Sequence, residues 1–419
     1  MPGVWLTALQ TDKFKSACLS ITLLTDLTRE TAADNAVLPY VLRRGTRFLP
    51  DMRAMSEKLQ SLYGASVEPV VRKRGEIQCI GFQADFCEDA YLPGKPATLE
   101  SVAALLGELL LAPNTRGGLL LPEYVDSERE KLVERMDSLV NNKRQYALRR
   151  LTEEMCAYEP FAVSRLGARE EAEDIRYLAL SKHMRELISV SPIELFYCGS
   201  RSAKEVFSLL QHTFAALPRG EIDYELGTDI RMNAVEDKPR YFAEEMDVTQ
   251  GNLAVGFRLG SCMEEPDLAA LRVFNAVYGG SAVSKLFMNV REKLSLCYYA
   301  NSSIDLHKGL LFVSSGIEFD KYDDALREIL AQLDAMRRGE ISDEELDGAK
   351  KAVANSLRSV SDDPDRLESF YLDQTVLGTD ASPEELAEMA GMVTREELVA
   401  IAGGVELDAV YFLRGEAAE

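Results

Sequence analysis

The sequence predicts an α+β fold made of two homologous lobes, each an antiparallel-rich sheet with helices packed on one face. Three observations predict it. A strand, helix, helix, strand, strand order occurs twice at an offset of roughly 230 residues. Each run closes with a largely helical stretch and an apolar strand. Between them lies PRGEIDYELGTDIRMNAVEDKPRY (218–241), charged and turn-rich, with too few apolar residues to build a core. The expected division is a first lobe over 1–217, a linker over 218–241 and a second lobe over 242–419.

Each element follows from its own pattern. KSACLSITLLTD (15–26) reads as a strand, and a helix follows over roughly 31–43. MRAMSEKLQSLYG (52–64) places Met52, Met55, Leu59 and Leu62 at helical spacing. ASVEPVVRK and EIQCIGFQADF read as paired strands, and SPIELFYCGS (191–200) closes the half. In the second half GNLAVGFRLG (251–260) is the strand. DLAALRVFNAVYGG (267–280) is a helix stopping at glycines, and SKLFMNVREKL is a second helix. LCYYANSSID and GLLFVSSGIE are the paired strands, and DAVYFLRGE (408–416) closes the chain. Ser342-x-x-Glu345 and Thr394-x-x-Glu397 are capping-type helix starts.

Composition narrows the function. The formal charge of −22 argues against unassisted binding to nucleic acid or to an anionic membrane. It suits solubility and would attract cationic peptides. No apolar run approaches the roughly 18–20 residues of a membrane helix, and the start lacks a basic segment before an apolar core. Seven scattered cysteines (Cys18, Cys79, Cys87, Cys156, Cys198, Cys262, Cys297) form no CxxC pair. That fits free thiols in a reducing cytoplasm better than disulfides or a cysteine zinc site. There is no GxxxxGK[ST] phosphate loop and no GxSxG elbow.

The stretch GGSAVSKLFMNVREKLSLCYYANSSI (279–304) concentrates chemistry. Arg291 stands where a helix gives way to a strand, and Tyr298 follows seven residues later. A guanidinium can hold a peptide carbonyl by a charge-assisted hydrogen bond. A phenol can donate to an oxygen that becomes negative during attack. Neither group activates water. Tyr299 should point to the opposite sheet face from Tyr298, and Cys297 reads as a buried strand thiol with no histidine nearby in sequence.

Two duplicated α+β lobes together with Gly279–Ser281, Lys285-Leu286-Phe287, Val290-Arg291-Glu292-Lys293 and Tyr298 resemble the pitrilysin/insulinase zinc peptidases, which include the mitochondrial processing peptidases. The resemblance covers nearly the whole chain and implies a LuxS/processing-peptidase-like duplication. Gln250, EISDEELDGAKK and VTREEL agree more weakly. The resemblance implies that Arg291 and Tyr298 reach a peptide substrate beside a zinc held by a first lobe, often that of another subunit.

That family's first lobe carries H-x-x-E-H on a helix. The equivalent segment here reads Ala36-Val37-Leu38-Pro39-Tyr40, with no histidine at either ligand position and Pro39 in place of the base. The three histidines, His183, His212 and His307, lie far apart in sequence and read as surface or structural residues. SEREKLVERMDS (127–138) resembles the region supplying the third ligand. Glu130 and Glu134, interleaved with Arg129, Lys131 and Arg135, read as a salt-bridged helix face. No metal or cofactor is therefore expected on this chain, and zinc is expected on a partner.

The expectation is a complementary subunit, inactive alone, that supplies Arg291 and Tyr298 to the zinc of a homologous H-x-x-E-H chain. The alternative is a non-enzymatic scaffold or peptide-binding protein. Among bacterial relatives the likeness is to the zinc-less member of tandem pairs, one type of which is associated with modification of elongation factor P. Two identical chains could also pair as a homodimer in isolation.

Overall fold

The computed structural model describes residues 1–419 apart from 232, 235, 237, 261–264 and 416–419. Cys262 and the last residue of the expected closing strand, Glu416, lie outside the described residues. The chain forms two compact units. The first comprises Met1–Asp137, Val163–Gly227 and Asp363–Val376. The second comprises Ser138–Ala162, Thr228–Asp362 and Leu377–Glu419.

The first unit holds β1 (Val4–Gln10), β2 (Ser16–Asp26), β3 (Ser66–Arg74) and β4 (Ile77–Cys87). A short hairpin, β5 (Thr115–Arg116) and β6 (Leu119–Leu120), precedes β7 (Ile193–Gly199). The five long strands order as β1-β7-β2-β4-β3. The second unit holds β8 (Arg240–Glu245), β9 (Gly251–Arg258), β10 (Cys297–Asp305), β11 (Leu310–Ile317) and β12 (Glu406–Arg414). Their order, β10-β11-β9-β12-β8, is the first read backwards with equivalent strands in equivalent places. In both sheets one edge pair is parallel, β1 with β7 and β8 with β12, and the other pairings are antiparallel. The duplication read from sequence is thus present at the level of topology.

The two parallel edge strands were not foreseen. β8 alternates half-buried and exposed positions (ieieie), so it lacks the apolar signature of a core strand. Its register with Ala409–Arg414 of β12 holds it in place.

The contiguous division at 217 and 242 does not include two helices that the packing assigns across it. The helix Lys143–Met155 turns Ala147, Leu151 and Met155 onto Ala254, Ala409, Tyr411 and Leu413. That covers a second face of the sheet, and every residue of β9 is buried. In the first unit the helix Pro364–Leu377 plays the same part. Its Leu372 packs on Leu24, Ile77 and Cys79, its Tyr371 stacks with Phe196, and its Glu368 accepts from Ser20 at 3.1 Å. Glu368 also accepts from Arg72 at 2.5 Å. Strand alternation puts Ser20 and Thr22 on this face and Leu19, Ile21 and Leu23 on the other. An amphipathic helix placed far along the chain gives no local sign of which sheet it will cover.

Both capping boxes form, at Ser342 with Glu345 and at Thr394 with Glu397, as their spacing predicts. No described helix is long and apolar enough to cross a membrane.

Candidate functional site

The first unit holds the segment equivalent to a zinc motif on the helix Arg29–Arg43. Thr28 caps it by accepting from the Thr31 N–H, and Pro39 lies inside it without ending it. The missing Pro39 N–H leaves the carbonyl four residues back without its helical donor. Ala36 is fully buried and Pro39 is buried, so neither offers a ligand atom. Tyr40 is covered by the Arg135 guanidinium, 3.8 Å from its ring centroid. A fixed cation beside this helix opposes a dication as surely as missing ligands do. The residues present do not fit zinc.

The neighbouring helix Pro122–Ser138 differs from the expected salt-bridged face. Its ion pairs use Arg129 with Asp126 at 2.9 Å and Lys131 with Glu128 at 2.8 Å. Arg44 adds a third contact, to Glu128 at 3.0 Å. Glu130 and Glu134 are exposed and make no ion pair among the described residues. Glu128 takes the cations because it is the buried carboxylate, 4% exposed, with the higher desolvation cost to offset.

The histidines do not assemble. His183 meets Asn35 Oδ1 at 2.6 Å, and burial lowers its pKa. His212 sits in the last turn of the helix Ala203–Thr213, and His307 lies 3.9 Å from Asp305. The one trio of metal-capable side chains among the described residues is Cys18, Asp85 and Asp365. Burial, with the hydrogen bond that the protonated Asp85 carboxyl donates to Asp365, pushes Asp85 up to about 7. Six cysteines are free thiols, four of them buried.

The second unit holds Arg291 and Tyr298. The helix Glu265–Asn275 runs on into a π-helical turn, Ala276–Gly280, and a second π-helical stretch spans Leu286–Lys293. These are the only π-helical turns among the described residues, and such turns concentrate at functional sites. The expected α-helices are therefore widened here, and the glycines are not caps. A Cβ on Gly279 would stand 2.7 Å from Leu286 Cδ1 and from Ser302 Oγ. Gly279 thus lets the turn lie directly on β10.

Lys285 anchors the second stretch. It is 6% exposed and donates to the Glu340 carbonyl at 2.6 Å and to Glu345 at 2.9 Å. Asn289 donates to Gln332 at 2.9 Å, and Leu286 and Val290 are fully buried. The chain then turns at Ser295, whose φ of 49° is unusual for a residue with a side chain, and enters β10.

Arg291 emerges half-exposed, its guanidinium 4.8 Å from the Phe287 centroid and 3.5 Å from Glu292. Tyr298 is 59% exposed, and its hydroxyl donates to Glu318 at 3.4 Å. Burial pushes the Cys297 thiol up, while a hydrogen bond from Ser315 and the Arg291 charge pull it down. Arg291 therefore lies within electrostatic reach of the residue next to Tyr298. Tyr299 turns inward, donating to Asn252 at 3.1 Å beneath Arg144, 4.5 Å from its ring. Only Tyr298 of the two is presented, as alternation requires. Val283, Met288 and Leu294 of the same stretch of chain are also exposed, 45–54% each. The Lys285 anchor and the Ser295 turn escaped sequence reasoning, although Lys285 lies within the motif that carried the resemblance.

The family model described as "Peptidase M16 inactive domain" matches residues 174–353. The chain is 32% identical over 415 residues to "Probable inactive metalloprotease YmfF" of Bacillus subtilis, covering 99% of this chain and 96% of that protein. A conserved protein from Enterococcus faecalis superposes with a TM-score of 0.89 at 27% identity, over 100% of this chain and 97% of that one. A peptidase M16 inactive domain from Pseudomonas fluorescens superposes at 0.79 and 15% identity, over 99% and 96%. The chain belongs to the peptidase M16 family, as one of its inactive metalloprotease homologues.

Proposed function

We propose that this chain is the complementary subunit of a heterodimeric M16 peptidase, presenting Arg291 and Tyr298 to a peptide held at the zinc of a partner that carries H-x-x-E-H. One observation carries the reading: Ala36, Pro39 and an Arg135-covered Tyr40 stand in the segment that the resemblance matches to a zinc motif, while Arg291, half-exposed on the π-helical stretch, and Tyr298, exposed on β10, remain open to solvent. Loss of selection on the whole site would spare neither half. Arg291 donates to a substrate carbonyl, and the Tyr298 hydroxyl donates to the oxygen that gains charge. Val283, Met288 and Leu294, exposed apolar side chains of the same stretch of chain, would be covered by the partner. The free thiols favour a cytoplasmic setting.

The test mixes this chain with a zinc-bearing M16 relative from the same organism and follows peptide hydrolysis. The expected result is zinc-dependent cleavage that needs both chains. Arg291→Ala or Tyr298→Phe should lower it by about a hundredfold, the loss typical of one oxyanion donor. Full activity of the partner alone overturns the reading.

A second reading is a peptide-binding scaffold without turnover, favoured by the same exposed apolar side chains. Tight peptide binding by the mixture with no cleavage would select it. A link to modification of elongation factor P belongs with either reading and rests on resemblance alone.

A further inference from the structure

A cleft of about 650 Å³ opens in the first unit. The end of the helix Thr98–Leu111, the β5–β6 hairpin and the helix Tyr177–Val190 line it. Its floor is apolar: Leu110, Met184 and Ile188 are 4–6% exposed. Arg47 and Arg185 stand exposed at its rim. Among the described residues neither pairs with a carboxylate. Arg185 donates to the Gly118 carbonyl at 3.4 Å, and Arg47 lies 6.0 Å from the Phe48 ring centroid.

The charge is out of keeping with the rest of the chain. The protein has 69 acidic residues against 47 basic ones, yet no Asp or Glu lines this cleft. Three other clefts of the same unit all carry carboxylates: Glu30 and Asp34 in one, Glu100 and Glu108 in another, Glu130 and Glu134 in a third. Two unpaired guanidiniums over an apolar floor are matched by one ligand chemistry. The volume is that of a small-molecule site.

We propose that this cleft binds a small organic anion with an apolar body, a carboxylate on an aliphatic chain. The carboxylate would take charge-assisted hydrogen bonds from Arg47 and Arg185 while the chain lies on Leu110, Met184 and Ile188. Repulsion by the acidic surface elsewhere would confine the anion to this site. The proposal is independent of Arg291 and Tyr298.

The test titrates octanoate into the full chain by calorimetry, with octanol as the uncharged control and methyl-labelled methionine signals as a second readout. The expected result is one site, a shift of the Met184 methyl, and octanoate binding about tenfold tighter than octanol. Arg47→Glu with Arg185→Glu should abolish the octanoate signal while the melting temperature holds, since both side chains are exposed. Should that charge reversal impair folding, Arg47→Gln with Arg185→Gln should still weaken binding about tenfold. No octanoate binding, equal affinity for octanol, or affinity untouched by either double variant overturns the proposal.

Discussion

The Arg135 guanidinium lies over the Tyr40 ring, 3.8 Å from its centroid, on the helix that the family resemblance matches to a zinc motif. Such a pair contributes about 0.5–2 kcal/mol depending on desolvation. Arg135→Ala should lower unfolding free energy by about 1 kcal/mol in urea titrations. Ala36→His with Pro39→Glu and Tyr40→His should take up stoichiometric zinc, read by metal analysis, only when Arg135 is also replaced. Uptake with Arg135 intact would show that the guanidinium does not oppose the metal.

Gly279→Ala should disturb the platform without touching Arg291 or Tyr298. The new Cβ would meet Leu286, Ser302 Oγ and the Ser302 backbone nitrogen at 2.7–2.8 Å. Overpacking of this kind costs about 1–3 kcal/mol. Exchange protection of the amides in Leu286–Lys293 should fall. Protection equal to that of the parent would mean that the turn can move off β10 freely.

Arg258 is completely buried and bridges two carboxylates, Glu159 at 2.6 Å and Asp408 at 2.8 Å. Lys308, equally buried, reaches Glu159 at 2.7 Å, and Arg240 reaches Asp408 at 2.5 Å. Burial pushes Glu159 up, but hydrogen bonds from Arg258 and Lys308 outweigh it and hold the carboxyl below its usual range. Glu159→Gln removes the negative charge that Arg258 and Lys308 share, leaving Asp408 as the carboxylate paired with Arg258, and should cost about 2–3 kcal/mol. Chemical denaturation that shows a loss below 1 kcal/mol would remove this network from the account of how the segment 138–162 is held.

Stability should fall as pH rises from about 4 to neutrality. Burial pushes Glu194 up to about 7, and burial with the hydrogen bond that protonated Asp85 donates to Asp365 pushes Asp85 to about 7. Unfolded carboxylates titrate near 4. Each group therefore holds its proton more tightly when folded. Their favourable contribution is complete below about pH 4, declines between about 4 and 7, and is gone above. For Glu194 the difference amounts to roughly 3 kcal/mol at alkaline pH. Glu194→Gln should raise the melting temperature at pH 8 and leave it unchanged at pH 4. A gain of equal size at both pH values would exclude this carboxyl as the cause.

The sequence by itself determined the duplication, the main strands, the capping boxes, the absence of an H-x-x-E-H motif, and the presentation of Tyr298 rather than Tyr299. These are local properties: alternation, helical spacing, an N-cap with its partner three residues on, and the chemistry of single side chains. Only the tertiary structure decided that Lys143–Met155 and Pro364–Leu377 cover sheets drawn from other parts of the chain. It also decided that Glu128 rather than Glu134 takes the cations, that Arg135 settles on Tyr40, and that Gly279 serves close packing rather than a cap. Each of these depends on what approaches through space. Burial and the reach of one side chain to a partner far along the chain are set when the elements pack, and no local pattern encodes them.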